Sequence, residues 1–168
     1  MKKTLTVIIM TLLCTTAFAK VKITSGSAAF LKEEATAVIE FDYSEAAWEE
    51  DQSYKTWCGE DFNTRVQLSK ESFIFAFNKN SKKLKINDGG NDAKYRITFK
   101  VENMEQKVGG NWGQFYVRCY GTITVQDIAT GETVCTINVN KEGGDTDYVP
   151  NDRISSCFSE IGKRVAKL

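Results

Sequence analysis

Between residues 94 and 139 the sequence alternates apolar and polar side chains in three successive runs. Strict alternation fits strands with one packed face and one wet face, so this stretch predicts a half-buried antiparallel meander. In the first run Tyr95, Ile97, Phe99 and Val101 share a face, while Lys94, Arg96, Thr98, Lys100 and Glu102 share the other. After a glycine-rich stretch at 108–113, Phe115, Val117, Cys119, Ile123 and Val125 repeat the pattern, with Tyr116, Arg118, Tyr120, Thr122 and Thr124 opposite. Asp127–Glu132 reads as a hairpin turn with Gly131 at a left-handed position, and the returning run presents Cys135, Ile137 and Val139 together. Matching those residues to Ile123 and Val125 requires an even pairing sum, 258 or 260.

An apolar sheet face needs cover, and two segments carry a matching stripe. From about Glu60 to Asn78, Phe62, Val66, Phe73 and Phe77 recur at helical spacing with Ile74 beside them; Phe75 and Leu68 fit less well. Each phenylalanine buried there stabilises by about 1.5–3 kcal/mol. Residues 151–167 form the second helix, with Asn151 or Asp152 as N-cap. Ile154, Cys157, Phe158, Ile161 and Val165 make its stripe, and Lys163, Arg164 and Lys167 crowd its C-terminal end. Short strands are predicted at 21–23, 35–43 and 84–86. The expected class is α+β: a two-layer sandwich with a mainly antiparallel sheet of about five strands and two helices on one face.

The first 19 residues read differently. Met1-Lys2-Lys3 is a cationic start, an apolar run reaches Cys14, and Ala17-Phe18-Ala19 supplies a small-x-small cleavage pattern. This is the layout of a bacterial signal peptide cut before Lys20, which leaves 168 − 19 = 149 residues as a single α+β domain. Leu12-Leu13 before Cys14 is a poor lipidation context, so an outer-membrane lipoprotein is the lesser reading and a periplasmic or secreted protein the preferred one. The mature chain has no segment apolar enough to span a bilayer. With Lys2 and Lys3 gone, 20 basic side chains face 22 acidic ones, a balance that argues against nucleic acid as a partner.

No histidine is present, which removes Ser-His-Asp and Cys-His catalysis and imidazole metal sites. No spacing nominates a carboxylate pair, so the expectation is a protein that is not an enzyme and carries no cofactor. Asn140, Glu142, Asp145, Asp147 and Asp152 gather oxygen ligands around Gly143-Gly144, but not at the spacing of a calcium loop, and no metal is expected. Residues 44–61 are acidic and aromatic, with Trp48, Tyr54 and Trp57 among six carboxylates; they suit a cationic partner or a solvated insertion with tryptophan tucked inward.

Four cysteines remain after the signal: Cys58, Cys119, Cys135 and Cys157. An oxidising compartment invites disulfides, and buried thiols are the alternative. Cys119 and Cys135 are disfavoured as partners, because either register places them four to six residues apart along the strands, at roughly 3.3 Å each. Cys157, on the packed face of the last helix, is within reach of a strand cysteine.

Ser25-Gly26-Ser27-Ala28-Ala29-Phe30-Leu31-Lys32 leads into Val38-Ile39-Glu40-Phe41-Asp42-Tyr43-Ser44. Together with the Phe73…Phe77-Asn78 helix end, Lys94-Tyr95-Arg96-Ile97 and the Arg153-Ile154 helix, this resembles a family of small secreted proteins from Gram-negative gut commensals with no assigned activity. The layout is also similar to small α+β domains of envelope lipoproteins, such as the N-terminal domain of the Tol system's propeller protein. That similarity implies an assembly or docking role.

Two places could carry binding. Trp112, flanked by glycines in Val108–Gly113, could present its ring to a sugar or an aromatic partner. Arg96, Arg118, Tyr116 and Tyr120 share the solvent face of the meander with Lys94 and Lys100, a basic and aromatic surface for an acidic protein partner or a glycan. The expected function is an exported, non-enzymatic interaction module of the bacterial envelope, with glycan binding as the alternative.

Overall fold

The computed structural model describes residues 20–90, 92–109, 114–143 and 150–168. Residues 1–19, Trp112 and Asp145–Asp147 lie outside them, as do the side chains of Glu142, Asn151 and Asp152.

Strands β1 (Lys20–Gly26) and β2 (Thr36–Asp42) flank a 3-10 turn at Ala28–Lys32, which Ser27 caps. A two-strand corner, β3 (Ala47–Trp48) and β4 (Gln52–Ser53), precedes helices α1 (Tyr54–Cys58) and α2 (Phe62–Asn80). Strands β5 (Lys85–Ile86), β6 (Tyr95–Gly109), β7 (Gln114–Asp127) and β8 (Thr133–Gly143) lead to helix α3 (Pro150–Val165). The main sheet order is β1-β8-β7-β6-β2-β5, with β3 pairing β6 and β4.

The α+β class and the two helices are as expected, but the sheet is not. Among the described residues it has eight strands rather than about five, and it is mixed. β2 runs parallel to β5 and β6, and β3 runs parallel to β6. The physical reason is the connection: α2 carries the chain back along the sheet before β5 and β6 begin, and a crossover of that kind delivers parallel neighbours. The extra strands are two-residue pairings too short to show a period.

The meander follows the predicted alternation. Ile123↔Ile137 and Val125↔Cys135 give the pairing sum of 260, and Gly131 takes φ 73° in the turn. Tyr95, Ile97, Phe99, Val101, Ile123, Val125, Ile137 and Val139 are buried. Above them α3 buries Ile154, Cys157, Phe158, Ile161 and Val165, its whole predicted stripe. α2 buries Phe73, Ala76 and Phe77 and leaves Phe75 70% exposed, in keeping with its poor fit to the apolar stripe.

The acidic 44–61 segment packs inward through its aromatics. Trp48 is buried and stacks on Trp57 at 3.7 Å, and the Arg65 guanidinium lies 4.7 Å over Trp57. Tyr54, fully buried, stacks on Tyr43 at 5.4 Å. The segment is thus a corner of the core with its carboxylates outside.

Candidate functional site

The side of the sheet away from the helices is polar, and its organisation depends on one irregularity. β6 and β7 pair Val101↔Gly121 and then Asn103↔Tyr120, so Glu102 is an extra residue in β6. A bulge inverts the parity of everything after it. Met104, which an unbroken alternation would turn outward, is fully buried, while Asn103, Glu105 and Lys107 come to the polar side. There they face Tyr120, Arg118 and Tyr116 in register.

Glu105 is the centre of this cluster. Tyr120 Oη donates to Glu105 Oε1 at 2.6 Å, and Lys107 Nζ lies 2.8 Å from Glu105 Oε2. Arg118 Nη1 donates to Tyr120 Oη at 3.3 Å and stands 3.9 Å from Glu105 Oε1. One tyrosine hydroxyl therefore both accepts and donates, and both carboxylate oxygens are engaged. Burial alone would raise the Glu105 pKa; hydrogen bonds from Lys107 and Tyr120, and the charges of Lys107 and Arg118, outweigh it and hold the carboxyl below its ordinary value. Lys107 is raised in turn, first by its hydrogen bond to Glu105. Asn140, the β8 neighbour of Tyr120, has a buried Oδ1 without a donor among the described residues.

Of the predicted residues, Tyr116, Arg118 and Tyr120 are thus brought together, whereas Arg96 is not part of the group. It lies nine residues up β6 from Glu105, roughly 25–30 Å away, and pairs with Glu40 at 3.7 Å. Lys94 and Lys100, between or beyond them, are tied to Glu33 and Glu45. Glu105 and Lys107 are the residues that the alternation pattern missed. Their signal was the continued β-propensity of Val101–Val108, but only the cross-strand partner reveals the bulge.

Other features have structural explanations. A groove of about 840 Å³ at the far end of the molecule is lined by Leu31, Lys82, Lys83, Lys167 and Leu168. Its lysines sit where α2 and α3 end, where cations answer the exposed helix carbonyls. No group of three or more His, Cys, Asp or Glu residues among the described residues could hold a metal ion. No helix among the described residues is long and apolar enough to cross a membrane. Cys58, Cys119, Cys135 and Cys157 are buried free thiols.

No family model matches the sequence, and no curated protein matches it. Among solved structures the chain is similar to PelC from Paraburkholderia phytofirmans, a dodecamer. That likeness has 15% identity and a TM-score of 0.51, and covers 89% of this chain and 98% of that one. It is also similar to protein XCC0632 from Xanthomonas campestris, of the family model DUF330, with 8% identity and a TM-score of 0.47 over 88% and 90% of the two chains. At these identities the likeness to PelC establishes the fold alone. The comparisons lend no support to the gut-commensal resemblance or to the likeness to the Tol propeller's N-terminal domain.

Proposed function

We propose that this protein is an exported, non-enzymatic docking module of the bacterial envelope, which engages a protein partner through the open polar face around Glu105. The observation that carries this reading is the Arg118–Tyr120–Glu105–Lys107 chain on the side of the sheet away from the helices, a side that none of the described helices covers. Side chains already held in one arrangement lose little rotamer freedom when a partner arrives, so their hydrogen-bonding capacity converts efficiently into affinity. Arg118 and the tyrosines are also the residue types that dominate interface energetics.

Export rests on the signal-peptide pattern of residues 1–19. An envelope assembly is compatible with the fold shared with PelC, whose chains form a dodecamer, and self-association is one form the docking can take.

The test is a crosslinking pull-down of the mature protein from the envelope of its native host, read by mass spectrometry and repeated with Arg118→Ala. One dominant protein partner, or the protein itself, crosslinked through Lys100 and Lys107 and depleted about tenfold by Arg118→Ala, supports the reading. Crosslinks confined to the helix side, at Lys70 or Lys79, would overturn it. Recovery of polysaccharide in place of protein would shift the assignment to glycan binding, with Trp112 and Tyr116 as the next residues to substitute.

A further inference from the structure

We propose that Cys119 and Cys157 are joined by a disulfide when the chain folds in oxidising surroundings, clasping α3 to the centre of the sheet. Cys119 lies on β7 and faces the helix layer, directly across from Lys141 of β8. Cys157 comes down from α3 onto the same point. Its Sγ donates to the Lys141 carbonyl at 3.4 Å and is approached by the backbone amides of Cys119 and Gly143. The helix backbone sits unusually close to the sheet here: a Cβ on Gly143 would stand 2.2 Å from the Cys157 Cα. A glycine at 143 is therefore what lets Cys157 drop to the level at which a disulfide spans two elements.

The other two thiols are placed elsewhere. Cys135 pairs with Val125, six residues along β8 from Lys141, roughly 20 Å away. Cys58 lies on α1, where it meets Tyr54, Arg65 and Asp61. Tyr43 lies within electrostatic range of Cys58, Cys119 and Cys157 alike, but among the described residues it is Cys119 and Cys157 that meet at Lys141, one across the strand register and the other through its hydrogen bond.

The chemistry is thiol–disulfide exchange with a disulfide of the surroundings. One cysteine thiolate attacks that external disulfide, forming a mixed disulfide and releasing one external thiol. The second cysteine then displaces the remaining sulfur. Two protein thiols are oxidised to one S–S bond, and the external disulfide is reduced to two thiols, with the cysteine protons passing to the leaving sulfurs. Burial pushes both thiols up, Cys157 to about 12, so the packed, reduced molecule offers little thiolate. Bond formation accordingly belongs to the folding chain, before α3 has closed over β7 and β8.

The test is refolding of the reduced residue 20–168 chain in a mixture of oxidised and reduced glutathione, followed by thiol titration in denaturant. Two of the four thiols should disappear. Trypsin leaves Cys119 and Cys135 in one peptide, so a second cut before Asp127 is needed. The crosslinked product should then join the peptide beginning at Cys119 to the one holding Cys157. The Cys58→Ser/Cys135→Ser double variant should lose both of its thiols, and Cys119→Ser should keep all three of its own. Four titratable thiols in the wild type, or a bridge containing Cys58 or Cys135, would overturn the assignment. The wild-type map decides the question even if a serine variant fails to fold.

Discussion

On the helix side of the sheet, Phe41, Phe73, Phe99 and Phe158 meet ring to ring, from 5.4 Å for Phe41–Phe99 to 6.1 Å for Phe73–Phe99. On the opposite side, β6, which carries Phe99, and its neighbour β7 hold a hydrogen-bonded chain of Arg118, Tyr120, Glu105 and Lys107. The first side is stabilised by apolar area and close packing, which are non-directional and lost when a ring is removed. The second depends on direction and charge, and each link replaces a bond that water would otherwise supply. Stability is thus concentrated on one face, and the other can be organised for recognition at small thermodynamic cost.

Truncation should expose this asymmetry most clearly. Phe99 is fully buried beneath both helices, and Phe99→Ala should cost about 3–5 kcal/mol by chemical denaturation, with the denaturant slope unchanged. Glu105→Gln, at the centre of the polar chain, should cost less, about 1.5 kcal/mol at neutral pH. Its signature is in the acid range. The folded Glu105 pKa lies below its ordinary value of 4.5, so the stability it contributes is present above that value and lost as pH falls through the folded one. The variant should therefore show a flatter decline in stability below about pH 4.5 than the wild type. A loss at Glu105 as large as that at Phe99 would mean that the polar face supports the fold and is not free for recognition.

Much of the covered face was legible in the sequence because each of its elements carries its own period. The alternation of Tyr95–Val101 and the 3.6-residue stripe of α3 are local, and local patterns survive without knowledge of the neighbours. The parallel pairing of β2 with β6 was not legible, because Ala37, Ile39 and Phe41 show which face is buried but not which strand lies alongside. The candidate site was half legible for the same reason. Tyr116, Arg118 and Tyr120 follow from one strand's alternation, whereas Glu105 joins them only because Glu102 is an unpaired residue, a property of two strands together. The cysteines fall between these cases: the α3 stripe placed Cys157 on the core side, and only the register places it over Lys141.

The smallest effects distinguish the two ends of the polar face itself. Arg96 and Glu40 form a single pair at 3.7 Å between side chains that are 47% and 65% exposed. Such a pair gains little over hydration and is screened by salt, so Arg96→Ala should change stability by less than about 0.5 kcal/mol. Tyr120 differs because its hydroxyl connects Arg118 to Glu105 in a half-buried setting. Tyr120→Phe keeps the ring and removes only that connection, and it should cost about 1 kcal/mol. The decisive comparison is the double-mutant cycle with Glu105→Gln. Tyr120 and Glu105 share a hydrogen bond, so their effects should fall short of additive by at least about 0.5 kcal/mol, while Arg96→Ala should add to Glu105→Gln without a coupling term. Additivity at both ends would reduce the Glu105 cluster to a set of independent surface contacts and remove the structural reason for placing the docking site there.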